Sequence, residues 1–221
     1  MKSMRGIGAV VVFVLAAVLM PSRAFARINM VFDVMPGNFI NSRDVDGFKT
    51  TMYPGTGIFT YSEEASGNLG YIPTMKGGVG IETEDAYLDL TAGFGGFVNS
   101  ALIGTMALGD AAFYYKAGRK LSFGPHMSYV RVDAKYNGAD GWADSDDVHI
   151  QGGNGVIYGL NFRLGKTVAF LGSLDYLSVA PLKASTPART GGRNTTINTS
   201  KIDVSGWMVQ LGVAFRFFTA R

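Results

Sequence analysis

Residues 207–217 read Trp-Met-Val-Gln-Leu-Gly-Val-Ala-Phe-Arg-Phe. The odd-numbered positions are all apolar, whereas most of the even-numbered positions are small or polar. This alternation has the period of two of a β-strand that lies between two unlike environments. Phe215 and Phe217 end the apolar row with an aromatic pair, which suits the level where lipid headgroups meet hydrocarbon. The stretch therefore predicts a strand with one face in lipid.

This stretch resembles the closing strand of bacterial outer-membrane β-barrel proteins. That strand carries alternating apolar residues and a final Phe that the barrel assembly machinery reads. The resemblance covers residues 207–217 at the level of the motif and the rest of the mature chain at the level of the pattern. It implies an all-β protein of the Gram-negative outer membrane. Its expected partners are the surrounding lipid and lipopolysaccharide, and the assembly machinery during biogenesis.

The N-terminus has the three parts of a secretory signal peptide. Lys2 and Arg5 give a positive start, residues 7–20 form an apolar core, and residues 24–26 form a small-residue cleavage site. The apolar core is too short for a comfortable transmembrane helix, which needs about 20 residues. We therefore expect cleavage after residue 26, which leaves 27–221 as the mature domain.

Charge and cysteine content exclude two classes of protein. The leader holds three of the 20 Lys and Arg residues and no acidic residue, so the remaining 17 basic residues match the 17 acidic ones. Nucleic-acid binding through a basic face therefore loses its main compositional support. The chain has no Cys, which excludes a small extracellular domain held together by disulfides.

Composition favours a closed sheet. The chain has 30 Gly, 12% aromatic residues and only 17% charged residues, which suits strands that face lipid on one side and crowd backbones on the other. After residue 26 there is no run of 18 apolar residues. Lipid satisfies no backbone hydrogen bonds, so a membrane-spanning chain of this kind must close its sheet into a barrel.

Segments with period-two alternation recur along the mature chain. We predict eight strands, at residues 28–35, 71–82, 86–98, 108–117, 121–135, 151–164, 167–179 and 202–217. The segment 36–70 has two interpretations, because it contains a strand-like piece at 57–61. Either 28–35 is the first strand and a long outer loop follows, or 57–61 is the first strand and everything before it is a plug or arm.

Three short turns alternate with four long links along this pattern. The turns lie at Thr83, Arg119 and Gly165, and the links begin at Pro36, Asn99, Tyr136 and Ala180. Outer-membrane barrels have short periplasmic turns and long outer loops. The pattern predicts an eight-stranded antiparallel up-and-down transmembrane β-barrel. It resembles the small OmpA-like and OmpW-like barrel families.

The two faces of the predicted strands differ in polarity. Leu160 and Phe170 belong to the row that we expect to face lipid. The opposite row carries charges of both signs, at Lys76, Glu82, Asp89, Asp110, Lys116, His126, Arg163, Asp175 and Arg216. A soluble lipocalin-type barrel would instead have its apolar rows inside. Eight strands enclose a space that side chains fill, so we expect a paired ionic network in the lumen and no open pore.

His126 and Ser128 are the candidate catalytic residues. His126-Met127-Ser128 resembles the His-x-Ser pair of the outer-membrane lipid A deacylases of the PagL type. That resemblance implies Ser128 as nucleophile and His126 as its base. Both residues, however, share the parity of the polar face of their strand. We therefore expect them to pack in the lumen.

Two of the links carry candidate binding groups. Residues 140–147 are dense in Asp, which suits a hard cation, but they lack the spacing of an EF-hand and its terminal Glu. We expect a solvated acidic loop there. The last link carries four basic residues, Lys183, Arg189, Arg193 and Lys201. In one interpretation they pair with lipopolysaccharide phosphates. In the other they belong to an ordinary loop.

These expectations lead to a non-enzymatic barrel with a structural or surface-binding role in the envelope. We expect no cofactor, no metal and no catalytic residue. The alternative is an outer-membrane lipid A acyl ester hydrolase that uses His126 and Ser128. Whether His126 points to the lumen or to lipid separates the two.

Overall fold

The computed structural model describes residues 27–53, 60–137, 148–186 and 194–218. All regular secondary structure in these ranges is β-strand. The strands are Arg27–Met35 (β1), Phe39–Asp44 (β2), Lys49–Tyr53 (β3), Tyr61–Glu64 (β4), Leu69–Tyr71 (β5), Thr74–Glu82 (β6), Ala86–Val98 (β7), Leu102–Lys116 (β8), Leu121–Tyr136 (β9), His149–Gln151 (β10), Gly153–Gly165 (β11), Val168–Val179 (β12), Leu182–Ser185 (β13), Asn194–Ile197 (β14) and Lys201–Phe218 (β15). Within the described ranges, no helix has the length and apolarity to cross a membrane.

Eight of these strands form a closed antiparallel ring. Its order is β1, β6, β7, β8, β9, β11, β12 and β15, and each strand pairs with the next. The ring closes because β15 pairs with β1, with Phe217 opposite Met30 and Val213 opposite Val34. Apart from the closing pair of β15 and β1, neighbours in the ring are barrel strands that follow one another along the chain, so the connections run up and down. The predicted eight-stranded antiparallel barrel is confirmed.

The barrel starts with β1, so the interpretation that makes 28–35 the first strand is confirmed. Of the alternative segment 57–61, only residues 60 and 61 lie in the described ranges. The three predicted short turns are also confirmed, since β6, β8 and β11 are each followed closely by the next barrel strand. In the first of these turns, Thr83 N–H donates to the carbonyl oxygen of Ala86 at 2.9 Å.

The chain does not leave the barrel at Pro36, so the predicted outer loop 36–70 is wrong over its first part. Gly37 exchanges two backbone hydrogen bonds with Leu211, both 3.1 Å long, and β2 then continues beside β15. Pro indicates a strand end because it has no N–H to donate to a ladder. Here the chain between β1 and β2 has one residue more than the facing part of β15, and this bulge accommodates Pro36 without ending the pairing. Gly37 suits this close approach, because a Cβ there would lie only 3.1 Å from the Cβ of Leu211.

The link after β7 is shorter than the predicted 99–107. Only residues 99–101 connect β7 to β8. The side-chain oxygen of Asn99 accepts hydrogen bonds from two backbone N–H groups of the turn, at 3.0 and 2.7 Å. Gly104 indicates a loop in the sequence, but it lies inside β8. It allows β9 to approach closely, since a Cβ at Gly104 would lie 2.2 Å from the carbonyl oxygen of Asp133.

Beyond the ring, segments predicted as loops form additional sheet at the loop end. β3 lies between β14 and β4 in a separate three-stranded sheet, which we call the outer sheet. β10 pairs with β13, and β13 pairs with the start of β15. The predicted long links 36–70 and 180–201 therefore both contain strands. β4 and β14 have four residues each, which is too short for a periodic pattern.

The interior of the barrel has two halves. The half near the loop end is an apolar core that extends to the outer sheet, and its buried members include Ile40, Phe48, Phe97, Leu102, Met106, Leu182 and Ile202. The half near the turns carries the charged row. Sequence reasoning predicted the charged half and missed the apolar half. β8 supplies residues to both halves, with Leu102 and Met106 towards the loops and Asp110 towards the turns.

The outer wall of the barrel is apolar. In β15 the odd-numbered row is exposed, with Trp207 at 62% and Phe217 at 54%, while Arg216 in the other row is 1% exposed. Leu160 and Phe170 are exposed as predicted. Ten residue steps from Trp207 to Phe217 span about 33 Å along a strand, or roughly 25 Å in height at the usual tilt. An apolar wall of this height around a charged interior suits hydrocarbon as the surrounding solvent.

Candidate functional site

The polar side chains of the lumen come together because inward positions recur at every second residue. The buried charged residues are Asp33, Lys76, Asp89, Asp110, His126, Arg163, Asp175 and Arg216. Glu82 and Lys116 are half-buried near the turns. The predicted interior row is therefore confirmed, and so is the expectation that His126 and Ser128 face the lumen. Asn38 was missed because it follows Pro36 in the segment predicted as a loop.

His126 lies between two carboxylates. Its Nδ1 is 3.0 Å from Asp110 Oδ1, and its Nε2 is 2.6 Å from Asp175 Oδ1. An imidazole can donate from both nitrogens only when both carry a proton. The arrangement therefore fits an imidazolium that bridges β8 and β12 from its position on β9.

The carboxylate of Asp110 has three hydrogen-bond partners. Besides His126, Lys76 Nζ donates at 2.9 Å and Ser128 Oγ donates at 2.6 Å. The hydroxyl of Ser128 is thus hydrogen-bonded to a carboxylate, and both nitrogens of His126 are hydrogen-bonded elsewhere. A Ser nucleophile needs the imidazole as its own hydrogen-bond partner. The structure brings His126 and Ser128 to the same cluster but does not pair them in that way.

Asp175 extends the cluster to β15 and to the segment between β1 and β2. It accepts hydrogen bonds from Ser173 Oγ and from Gln210 Nε2. Gln210 Oε1 in turn accepts from Asn38 Nδ2 at 3.2 Å, and Asn38 Nδ2 also donates to Thr74 Oγ1 at 3.0 Å. Polar side chains from both sides of the barrel are therefore linked across the lumen.

A second cluster fills the turn end. Nη2 of Arg216 lies 2.6 Å from both carboxylate oxygens of Asp89, and Arg163 Nη1 lies 3.8 Å from the same carboxylate. The ring of Tyr87 packs against these cations, with Arg216 Cζ 4.1 Å and Lys116 Nζ 4.4 Å from its centroid. Cation–π contacts of this kind gain strength when water is excluded. The cluster therefore occupies the lumen next to the turns.

The charges of the lumen balance. In the described residues its carboxylates are Asp33, Glu82, Asp89, Asp110 and Asp175, and its Lys and Arg residues are Lys76, Lys116, Arg163 and Arg216. One more positive charge makes the two sets equal, and the imidazolium of His126 supplies it. Buried charges are costly unless they are paired, so this balance suits a closed interior.

A small cavity lies among the described polar side chains of the lumen. It has a volume of about 10 Å³ and is lined by residues that include Lys76, Tyr114, His126, Asn161 and Gln210. This volume accommodates about one water molecule. In the described ranges, no group of three or more His, Cys, Asp or Glu residues is arranged to hold a metal ion. Around this cavity, side chains occupy the described part of the lumen.

Several solved structures are similar to this chain at low sequence identity. No protein-family model matches the chain, and no curated protein matches it. Neisserial surface protein A is 13% identical with a TM-score of 0.41, over 88% of this chain and 99% of that one. The outer membrane protein AlkL is 14% identical with a TM-score of 0.46, over 91% and 95%. The outer membrane protein OprG from Pseudomonas aeruginosa is 12% identical with a TM-score of 0.36, over 88% and 95%.

The fold is that of a small eight-stranded antiparallel β-barrel with an apolar outer wall. Lys183 and Lys201 lie directly opposite each other on β13 and β15. Arg189, Arg193 and the acidic segment 140–147 lie outside the described residues.

Tyr136 joins the barrel to the outer sheet. It ends β9 at the loop end, beyond the apolar band. Its hydroxyl donates to Glu63 Oε2 at 2.8 Å and lies 2.9 Å from Thr50 Oγ1. Its ring packs against that of Phe48, with the two ring centroids 6.0 Å apart. Burial raises the pKa of Tyr136 to about 12, so the hydroxyl keeps its proton near neutral pH. The outer sheet is thus fixed to a barrel strand by hydrogen bonds and by ring packing.

Proposed function

We propose that this protein is a non-enzymatic β-barrel of the outer membrane with a structural or surface-binding role in the envelope. The observation that carries the proposal is the filled interior, with an apolar core towards the loops and two charged clusters towards the turns. A barrel filled in this way holds its shape and leaves no path for solutes. Its useful surfaces are then the wall and the loop end.

The loop end is built as a platform for display. The outer sheet consists of β3, β4 and β14, and Tyr136 holds it against the barrel. The apolar core continues from the lumen to Phe48 below this sheet. A rigid sheet of this kind presents loops in a fixed arrangement, which is what recognition at a cell surface requires. The ligand of the loops would be a component of the surroundings of the cell.

The alternative function is ester hydrolysis of lipid A by His126 and Ser128. Hydrolysis needs a nucleophile that reaches acyl chains in the membrane, yet both side chains are at most 4% exposed. The hydrogen bonds of Ser128 and His126 to carboxylates also favour a structural role for them. These observations support the non-enzymatic proposal.

Export and assembly follow from the same proposal. A signal peptide cleaved after residue 26 would deliver the chain to the periplasm of a Gram-negative cell. The alternating strand 207–217 would then be recognised by the barrel assembly machinery. The short turns face the periplasm and the outer sheet faces the outside.

Single cysteines test this placement, because the chain contains no Cys. Ser66→Cys lies at the loop end and Lys120→Cys lies in a short turn, and both positions are exposed. Intact cells are treated with a maleimide that does not cross membranes. We expect labelling of Ser66→Cys alone, and labelling of both variants after the cells are broken. Labelling of Lys120→Cys alone in intact cells would overturn the proposed orientation.

A further inference from the structure

Three aromatic side chains form a cluster on the outer wall, which we call the girdle cluster: Tyr158, Tyr176 and Trp207. The ring centroids of Tyr158 and Tyr176 are 5.8 Å apart, and those of Tyr176 and Trp207 are 5.4 Å apart with the rings edge to face. Tyr158 and Trp207 are exposed. Amphipathic rings on a membrane protein lie where headgroups meet hydrocarbon. The girdle cluster marks this boundary on one side of the barrel.

Arg43 reaches over the girdle cluster. It is on β2, and its guanidinium carbon lies 5.7 Å from the ring centroid of Tyr176 on β12, with β15 between the two strands. Arg43 is exposed. None of the ion pairs between described residues includes it. A guanidinium held at this level suits a phosphate of a lipid headgroup, which it can bind with two parallel hydrogen bonds.

Lys183 and Lys201 form a second basic position further from the membrane. They face each other directly across β13 and β15, and both are exposed. Like charges in directly opposite positions repel, and an anion bound between them removes that repulsion. Two residues after Lys201, Asp203 on β15 lies directly opposite Asp44 on β2. Asp203 also accepts a hydrogen bond from the Ser205 N–H at 2.9 Å. The two basic positions are thus separated by an acidic pair.

The two basic positions lie at different heights. Arg43 is two residues beyond Asn41, which pairs with Trp207, so it lies about 5 Å above the girdle cluster. Lys201 is six residues from Trp207 along β15, which is roughly 15 Å in height at the usual strand tilt. The headgroup of a phospholipid reaches only the lower position. A lipid with a tall, negatively charged saccharide reaches both.

We propose that Arg43, Lys183 and Lys201 form a docking site for lipopolysaccharide of the surrounding outer leaflet. Arg43 pairs with a phosphate at the level of the headgroup, and the acyl chains lie along the wall below the girdle cluster. The two lysines bind an anionic group of the saccharide above the acidic pair. This site rests on the proposed function, because it requires the loop end to face the outside of the cell.

Binding to the full chain, refolded in detergent without lipopolysaccharide, tests the site. Affinity is measured by calorimetric titration with intact lipopolysaccharide, with dephosphorylated lipopolysaccharide and with phosphatidylglycerol. We expect Lys183→Ala/Lys201→Ala to bind intact lipopolysaccharide about tenfold more weakly, the size of one lost charge-assisted contact. Its affinity for phosphatidylglycerol should be unchanged. Arg43→Ala should weaken binding of both lipids, and removal of the phosphates should weaken binding to the wild type.

Arg131→Ala/Lys135→Ala is the matched control. It removes two exposed basic residues from β9, three strands away in the ring, and it should bind lipopolysaccharide as the wild type does. All variants are first checked for the mobility shift of an unheated barrel in a gel. Equal affinity of the Lys183→Ala/Lys201→Ala variant and the wild type, or an equal loss in the control, would overturn the site. If these binding results overturn the site but Ser66→Cys is labelled on intact cells, the proposed function still stands.

Discussion

Nε2 of His126 on β9 lies 2.6 Å from Oδ1 of Asp175 on β12, although β11 separates the two strands. The residue between them is Gly159, which is opposite His126 on one side and Asp175 on the other. A Cβ at Gly159 would lie 2.1 Å from that carboxylate oxygen. The absence of a side chain at Gly159 therefore lets the imidazole reach across the intervening strand.

Gly159→Ala should separate His126 from Asp175. The added methyl group meets the carboxylate and the backbone of β12, so we expect the free energy of unfolding to fall by about 1–3 kcal/mol. Gly109→Ala is the control, because nothing lies within 4 Å of a Cβ at that strand position. Urea titration of the protein folded in lipid vesicles measures both. Equal stabilities of the two variants would refute the role given to Gly159.

Leu160→Arg tests the lipid-facing wall. Leu160 is 66% exposed and lies on the wall two residues from Tyr158, on the side of the girdle cluster that faces the turns, so it should lie within the hydrocarbon. An Arg costs about 2–4 kcal/mol at the bilayer midplane and less towards a boundary, so we expect a cost of about 2 kcal/mol here. Asn161→Ala, one residue away, removes a hydrogen bond to the Tyr114 hydroxyl and should cost only about 0.5–1.5 kcal/mol. The same vesicle assay compares them, and equal costs would show that the faces are assigned wrongly.

Ser128→Ala separates scaffold from catalysis. As a lumen residue, Ser128 contributes one hydrogen bond to Asp110, so its loss should lower stability by about 0.5–1.5 kcal/mol. We expect neither the wild type nor Ser128→Ala to release acyl chains from purified lipid A in detergent. Release by the wild type and not by the variant would establish the ester hydrolase instead.

Tyr136→Ala should loosen the outer sheet without opening the barrel. The change removes the hydroxyl contacts to Thr50 and Glu63 and the packing against Phe48. Limited proteolysis of the folded protein should then cut the loop end faster, while the unheated barrel keeps its mobility in a gel. Tyr53→Ala, an exposed position of the same sheet, should leave the cutting rate unchanged. Equal rates for both variants and the wild type would contradict the role of Tyr136.

Strand parity predicted most of the barrel and the identity of its lumen residues. The side of β9 that carries His126 and Ser128 follows from alternation alone, because one step along a strand changes the face. The partners of these residues do not follow from alternation. The contact of Arg216 with Asp89 joins residues 127 apart in sequence, and it depends on closure of the ring and on the reach of a long side chain.

The outer sheet and the apolar half of the lumen were not predicted for a different reason. β4 and β14 are too short for a period to appear, and β2 begins after a Pro that indicates a strand end. Their positions depend on pairing with distant strands, such as Thr195 of β14 with Met52 of β3. Pairing of this kind is decided by tertiary packing and has no local signal.

Conductance across a planar lipid bilayer tests the filled lumen most directly. The purified barrel is inserted from detergent, and its insertion is verified by protection of the wall from protease. With the apolar core at one end and the pairing of Arg216 with Asp89 at the other, we predict no steady ion current at any applied voltage. A stable current that scales with voltage and with the number of inserted barrels would contradict the account.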